Sequence, residues 1–269
     1  MLSISVRRWL GIRYGSLKEK NQDMFCKLIS NYQLFVLCMF LPVLVTAQEI
    51  VEVGSFSKAG SDAVLPEGWE PLYFSKDVRK SEYSLVEDNG VLVVRAESKA
   101  SASAMFYPLK IDLNKTPIVQ WRWKIENILK KGDATHKDGD DYAARLYIIF
   151  DYDVSRLSWL EKLEYETYYL INGQYPPLAA LNYLWANKLP VDSLVPNIYS
   201  ERVQMFVVRS GDEEIGKWVI QERNIYEDYL KAFGEQPPAI SGIAIMTDTD
   251  NTGEQATAYY GDIRLLSVE

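Results

Sequence analysis

Gln120-Trp121-Arg122-Trp123-Lys124-Ile125 alternates without a break, with Trp121, Trp123 and Ile125 on one side and Gln120, Arg122 and Lys124 on the other. A period of two is that of a β-strand, whose successive side chains point to opposite faces of a sheet. Charged partners on the second face predict that the tryptophans enter an apolar core. An exposed stacking platform of the kind sugar-binding modules use is the alternative, and the alternation favours the core.

Outward from this segment, residues 83–86, 90–96, 103–109, 143–150, 203–209, 217–222, 240–246 and 256–266 also read as strands between turn signals. Asp88-Asn89-Gly90 suits a hairpin, and Ser210-Gly211-Asp212 ends a strand where positive φ is needed. Nine short strands predict a mainly β fold, a jelly-roll-like antiparallel β-sandwich in which alternate side chains fill the space between two sheets.

Two helical pieces interrupt the pattern. Ser158-x-x-Glu161 reads as a capping box for a helix to about Leu170. Asn224-x-x-Glu227 opens a second, closed by Gly234 ahead of Pro237-Pro238. Residues 151–200 are the least β-like part. With Pro176-Pro177 and the run Leu181-Asn182-Tyr183-Leu184-Trp185, they read as a partly helical insertion over one end or edge of the sandwich.

Residues 34–45 are a run of apolar residues followed by Val45-Thr46-Ala47, the small-residue pattern of a signal-peptidase site. The run spans roughly 18 Å at about 1.5 Å per residue, and Pro42 interrupts it, so a leader over 1–47 is expected rather than a membrane span. Met24, followed by Lys27, is the expected true start. Export to the periplasm or the exterior follows, with a single domain over 48–269.

Lipidation at Cys38 is the weaker reading, because Phe35-Val36-Leu37 lacks small residues. Both cysteines, Cys26 and Cys38, fall in the leader, which excludes disulfides, thiolate metal sites and cysteine nucleophiles from the remainder. The leader holds six of the 29 basic residues and two of the 37 acidic ones, leaving 23 against 35 and a net charge of −12. That sign disfavours nucleic acid and suits a divalent cation or a neutral ligand.

Asp138-Gly139-Asp140-Asp141-Tyr142-Ala143-Ala144-Arg145 gathers three carboxylates in a turn before a strand, with Arg145 entering it. Such a group suits Ca²⁺ or the hydroxyls of a polar ligand. The plainer reading is an acidic loop in which Arg145 pairs with Asp141, Asp151 or Asp153. Asp248-Thr249-Asp250-Asn251-Thr252-Gly253-Glu254 sets oxygen donors at alternate positions before a glycine, as calcium loops do. It is no EF-hand, since Thr252 and Tyr259 stand where that pattern needs Asp or Asn and then Glu. A polar hairpin turn is an equal reading.

Catalysis has little support. His136 is the only histidine, in a Gly/Asp/Lys-rich loop, and no Gly-x-Ser-x-Gly elbow exists. Two facing carboxylates would suffice for glycoside hydrolysis, with Asp140 or Asp141 and an acid from 151–153 or 248–254 as the candidates.

Ala258-Tyr259-Tyr260-Gly261-Asp262-Ile263-Arg264-Leu265 resembles the last strand of jelly-roll carbohydrate-binding modules. The resemblance implies Asp262 at a structural calcium, with Glu52-Val53-Gly54-Ser55-Phe56 completing the site; a salt bridge from Asp262 to Arg264 or another base is the alternative. Over nearly the whole chain after the leader, a second resemblance rests on Leu65-Pro66-x-Gly68-Trp69, Trp121-x-Trp123, Gly139 to Arg145, Leu181-Asn182-Tyr183-x-Trp185, Val208-Arg209-Ser210-Gly211, Asp228-Tyr229 with Phe233-Gly234, Thr247 to Gly253 and Tyr260-Gly261-Asp262-Ile263. These residues are similar to an exported bacterial family, domain of unknown function 3047. That likeness implies a secreted or periplasmic β-sandwich and carries no activity.

The reading that follows is a non-catalytic binding module for glycan or another polar cell-envelope component, with a structural calcium as candidate cofactor. Asp140, Asp141, Arg145, Asn182, Tyr183 and Trp185 are the candidate ligand contacts, and Asp248, Asp250 and Asp262 the candidate metal ligands. A glycan hydrolase and a protein-interaction domain, the latter with an apolar patch over 178–185, are the alternatives.

Overall fold

A computed structural model describes residues 48–60, 65–160, 162–163 and 179–268. Residues 1–47, expected to be a leader and holding Cys26 and Cys38, lie outside the described residues, as does the greater part of the helix expected to run to Leu170.

Thirteen strands among the described residues build two sheets. The first has the order β11-β6-β13-β4-β3, from Val219–Asn224, Ile118–Ile125, Gln255–Leu266, Val91–Lys99 and Glu82–Asp88, with β1 (Ile50–Gly54) paired to the far half of β13. The second has the order β2-β5-β12-β7-β8-β10-β9, from Glu70–Leu72, Ala102–Ile111, Ile240–Asp248, Arg145–Phe150, Ala180–Ala186, Ser200–Ser210 and Leu194–Asn197. The protein is therefore mainly β, a two-sheet sandwich. All nine segments expected from sequence are strands.

Aromatic side chains join the sheets. Trp121 and Trp123 are buried, their rings 5.3 Å apart edge to face; Trp121 stacks on Tyr183 at 5.4 Å, and Trp123 meets Trp185 at 6.1 Å. Geometries of this kind add about 0.5–1.5 kcal/mol per pair to the area they bury. The alternation at 120–125 thus does place its tryptophans in the core.

Local signals act where the sequence puts them. Asn89 and Gly90 take φ of 53° and 80° in the β3–β4 hairpin, as a primed turn requires. The helix α1 (Ile225–Phe233) starts with the Asn224 side chain accepting from the Glu227 amide and ends at Gly234 with φ 71°. It docks through buried Ile225 and Tyr229, and its Asp228 accepts from Tyr183 Oη at 2.8 Å and from Arg223.

Residues 151–200 depart from expectation. They hold β8 in the middle of the second sheet and β9 at its edge, rather than only a cover over one end. All seven residues of β8 are buried, because neighbouring strands flank it and both faces are covered, so Ala180–Ala186 shows no polar alternation. For the same reason no exposed apolar patch exists over 179–185. After β8 the chain goes first to the edge as β9 and then returns as β10 between them. As a result β10 runs parallel to β8 while the other neighbours in both sheets are antiparallel.

Candidate functional site

The second sheet has an inner face in the sandwich core and an outer face of its own character. Ala102, Ala104 and Phe106 on β5, Ala244, Met246 and Asp248 on β12, and Arg145, Tyr147 and Ile149 on β7 all project outward, each set two residues apart. Residues 72–78 pass over this face and bring Leu72, Phe74 and Val78 against it. On the opposite side stands the β9–β10 hairpin with Asn197, Tyr199 and Val203. Between the two walls lies a cavity of about 440 Å³, inside the range of roughly 300–1,000 Å³ typical of small-molecule sites.

One end of the cavity is strongly polar. Arg145, 2% exposed, donates through Nε to Asp248 Oδ1 at 2.9 Å and through Nη2 to Asp248 Oδ2 at 2.7 Å. It also reaches Tyr147 Oη at 3.1 Å and the Asp140 carbonyl, and its cation lies 4.4 Å from the centre of the Tyr142 ring. Met246 faces Arg145 in the β12–β7 register, so Asp248 two residues on is one strand step away. Burial works against the guanidinium's charge, and Asp248, Tyr147 and Asp140 more than offset it, holding its pKa above the usual value.

Asp140 and Asp141 follow a 3₁₀ turn, Lys137–Gly139, in which Gly139 is needed: a Cβ there would stand 2.7 Å from the Asp133 backbone nitrogen. Asp140 accepts from Asn197 Nδ2 at 2.9 Å through Oδ2. Its buried Oδ1 has no hydrogen-bond partner among the described residues and lies 3.5 Å from Arg145 Nη2. Asp141, fully buried, accepts from the amides of Thr252 at 2.6 Å and Asn251 at 3.4 Å, and so ties the 248–254 loop to the 140 turn.

Asp141, Asp248 and Asp250 each present one carboxylate oxygen within 4.8 Å of the others, a set that could hold a cation. Burial raises the pKa of both Asp248 and Asp250. For Asp248, Arg145 opposes the rise while Asp141 and Asp140 add to it, and for Asp250 it is Asp141 that adds most. The Asp248 and Asp141 oxygens already accept from Arg145, Tyr142 and the loop amides, so a cation would use their remaining lone pairs and those of exposed Asp250.

The structure thus brings Asp140, Asp141, Arg145, Asp248 and Asp250 together, and Arg145 pairs with Asp248 rather than with Asp141, Asp151 or Asp153. Three residues grouped with them from sequence lie outside this cluster. Tyr183 and Trp185 point into the sandwich core, where the Tyr183 hydroxyl holds Asp228 and Trp185 Nε1 donates to the Gly211 carbonyl. Asn182 faces outward beside Tyr147 and Met205 in register, yet it is fully buried, and among the described residues its amide has no hydrogen-bond partner at either end.

Asp262 is not in the convergent acidic group. It sits at a bulge of β13 and accepts from the Ser57 amide at 2.9 Å and the Ser57 hydroxyl at 2.5 Å. Ser57, one residue past the expected 52–56 segment, is what reaches Asp262, while Glu52 turns to Arg264 and Lys58. His136 is exposed.

Sequence reasoning missed Tyr147, Asn197, Tyr199 and the alanine floor. Tyr199 is 56% exposed, accepts from Asn251 Nδ2 at 2.9 Å and donates to the Lys137 carbonyl at 3.2 Å. It is placed by a hairpin that the sequence had not shown. Two-residue spacing of Arg145, Tyr147 and Ile149 was the available signal for the rest.

Among solved structures, a family 29 carbohydrate-binding module is 6% identical, with 82% of this chain and 90% of that one covered and a TM-score of 0.35. A family 12 xyloglucanase from Bacillus licheniformis is 9% identical over 82% and 100%, TM-score 0.42, and endoglucanase 3 of Trichoderma harzianum is 9% identical over 82% and 98%, TM-score 0.38. At these scores the likeness carries no residue and no activity over to this chain. No curated protein matches it. The sequence profile described as "Protein of unknown function (DUF3047)" matches residues 67–264, most of the chain and all of the strands that build the cavity, and the protein belongs to that family.

Proposed function

We propose that the protein is an exported, non-catalytic binding module that takes a glycan, or an equally hydroxyl-rich component of the cell envelope, in the outer cavity of its second sheet. The observation that carries this reading is the composition of the polar end. Asp140, Asp248 and Asp250 supply carboxylate acceptors, Asn197 and Asn251 supply amides, and the exposed ring of Tyr199 stands beside them. Hydroxyl groups donate to carboxylates, amides serve either direction, and a sugar's apolar face stacks on an aromatic ring. Four aspartates against one arginine repel anionic ligands. A cation at Asp141, Asp248 and Asp250 would stiffen the same loop.

Glycan-array screening of the purified protein, in calcium and again in chelator, tests the reading. Selective retention supports it, and retention lost in chelator supports the cation as part of the site. Uniform silence on the array refutes it. The specific observation for hydrolysis is the raised pKa of Asp250, which lines the cavity near other carboxylates; release of new reducing ends from a retained glycan would make that the better reading.

A further inference from the structure

We infer that the ligand of this cavity is a glycoside with an apolar aglycone: a neutral sugar head at the Arg145–Asp248 end and a hydrocarbon tail over the alanine floor. The inference rests on the glycan reading above and names the class of glycan.

Two independent features of the cavity meet in it. Away from the polar end the lining is mostly apolar, with Leu72, Phe74 and Val78, interrupted by Ser75, on one wall, Ile149 and Val203 across from them, and a floor of Ala102, Ala104 and Ala244. The floor is a trough because of its residue sizes. Ala244 stands in register between Phe106 on β5 and Tyr147 on β7, and Ala104 between Leu72 on β2 and Met246 on β12. A methyl group thus lies in each row where a larger side chain flanks it on both sides. A free sugar has hydroxyls around most of its ring and would leave such a trough with nothing to bond. A hydrocarbon chain needs no partner there and gains from leaving water.

The second feature is Asp140. Its side chain is about nine-tenths buried and lines the cavity, and its Oδ1 has no hydrogen-bond donor among the described residues. Buried acceptors are nearly always satisfied, and this one, screened from the cavity and facing only Arg145 Nη2 at 3.5 Å, leaves the polar end one donor short. Carboxylates only accept, so the head must donate. The surplus of carboxylates at this end disfavours a sulfate, phosphate or carboxylate head. Polar and apolar requirements are therefore separated along one cavity, which matches an amphiphile rather than a uniformly polar chain.

The test uses the full chain purified after expression with its own leader, and isothermal titration with matched methyl and n-octyl glycosides of glucose, galactose and N-acetylglucosamine, below micellar concentrations. Each methylene buried is worth about fourfold in affinity, the equivalent of ~0.8 kcal/mol. Burial of two or three then gives the octyl compound an advantage of roughly tenfold or more. Ala244→Leu fills the trough and should bring the octyl affinity down to the methyl value.

Equal affinities for the methyl and octyl glycosides overturn the tail and leave the glycan reading standing. Binding of octyl sulfate or octyltrimethylammonium as tightly as the octyl glycosides overturns the sugar head. No binding of any glycoside overturns both readings. Because the ligand series is measured on the unaltered protein, a poorly folding Ala244→Leu would not rescue the inference.

Discussion

Asp248→Asn should be among the most damaging single substitutions in the chain. Arg145 is 2% exposed, and two of its hydrogen bonds, at 2.9 and 2.7 Å, end on Asp248. Asparagine keeps one acceptor oxygen but removes the charge, and the nearest remaining carboxylate oxygen, Asp140 Oδ1, is 3.5 Å from Nη2. Removing one partner of a buried ion pair costs about 3–5 kcal/mol. The retained acceptor and Asp140 place this case near the lower bound, about 3 kcal/mol.

For a domain of this size that is a fall of roughly 6–12 °C in Tm. Urea unfolding followed by tryptophan fluorescence reads it directly, since the core tryptophans lie between the sheets. The double variant Arg145→Met, Asp248→Leu removes both charges and should regain most of the loss, because an apolar pair of similar volume is often neutral or better. A cost below about 1 kcal/mol for Asp248→Asn, or strictly additive single costs in the double variant, would refute the claim that the pair acts as a unit.

Asp141→Ala should cost about 2 kcal/mol by orphaning the part-buried amide of Asn251 and the buried amide of Thr252, and faster hydrogen exchange of those two amides is the specific check. Gly132→Ala puts a Cβ 1.8 Å from Asn187 Nδ2, which donates to the Asp141 carbonyl; a loss of about 1–3 kcal/mol in thermal unfolding is expected. Asp88 accepts from Lys124 Nζ at 2.8 Å and Trp218 Nε1 at 2.6 Å, and these bonds hold its pKa below the ordinary value. Its stabilising contribution is therefore fully present above about pH 4, the unfolded value, and is lost as pH falls below it through the lowered folded-state pKa. Asp88→Asn should thus be less stable than the parent at pH 7 and converge with it in acid, and a gap that persists in acid would contradict the assignment. Tyr199→Ala should weaken retention on any glycan the array identifies, with little change in Tm.

What could be read from the sequence divides along physical lines. Strands with one wet face announced themselves, as at 120–125, because alternation records a boundary between core and water. Caps and turns were equally legible at Asn224, Gly234 and Asn89-Gly90, where one side chain or one positive φ decides the local structure. Arg145 and Asp248 were each singled out, but their pairing was not. They are 103 residues apart, and only the antiparallel register of β12 on β7 brings them together.

Ala180–Ala186 shows why the remainder was hidden. Its inner face meets Trp121 and Trp123, and on the outer face Leu184 and Ala186 pack with Ala134 and Tyr142, so both faces are buried. A strand in that position has no polar half, and its Asn182 looks like a ligand contact when it is a covered amide. The same erasure hides the trough. Alanine at 102, 104 and 244 signals nothing by composition, since its effect is space created between the larger Phe106, Tyr147, Leu72 and Met246 on neighbouring strands. A site built from missing volume becomes visible only when the sheet is assembled. The acidic end of this cavity could therefore be found from residue types, while the apolar end, on which the choice between a free glycan and an amphiphile turns, had to come from the register.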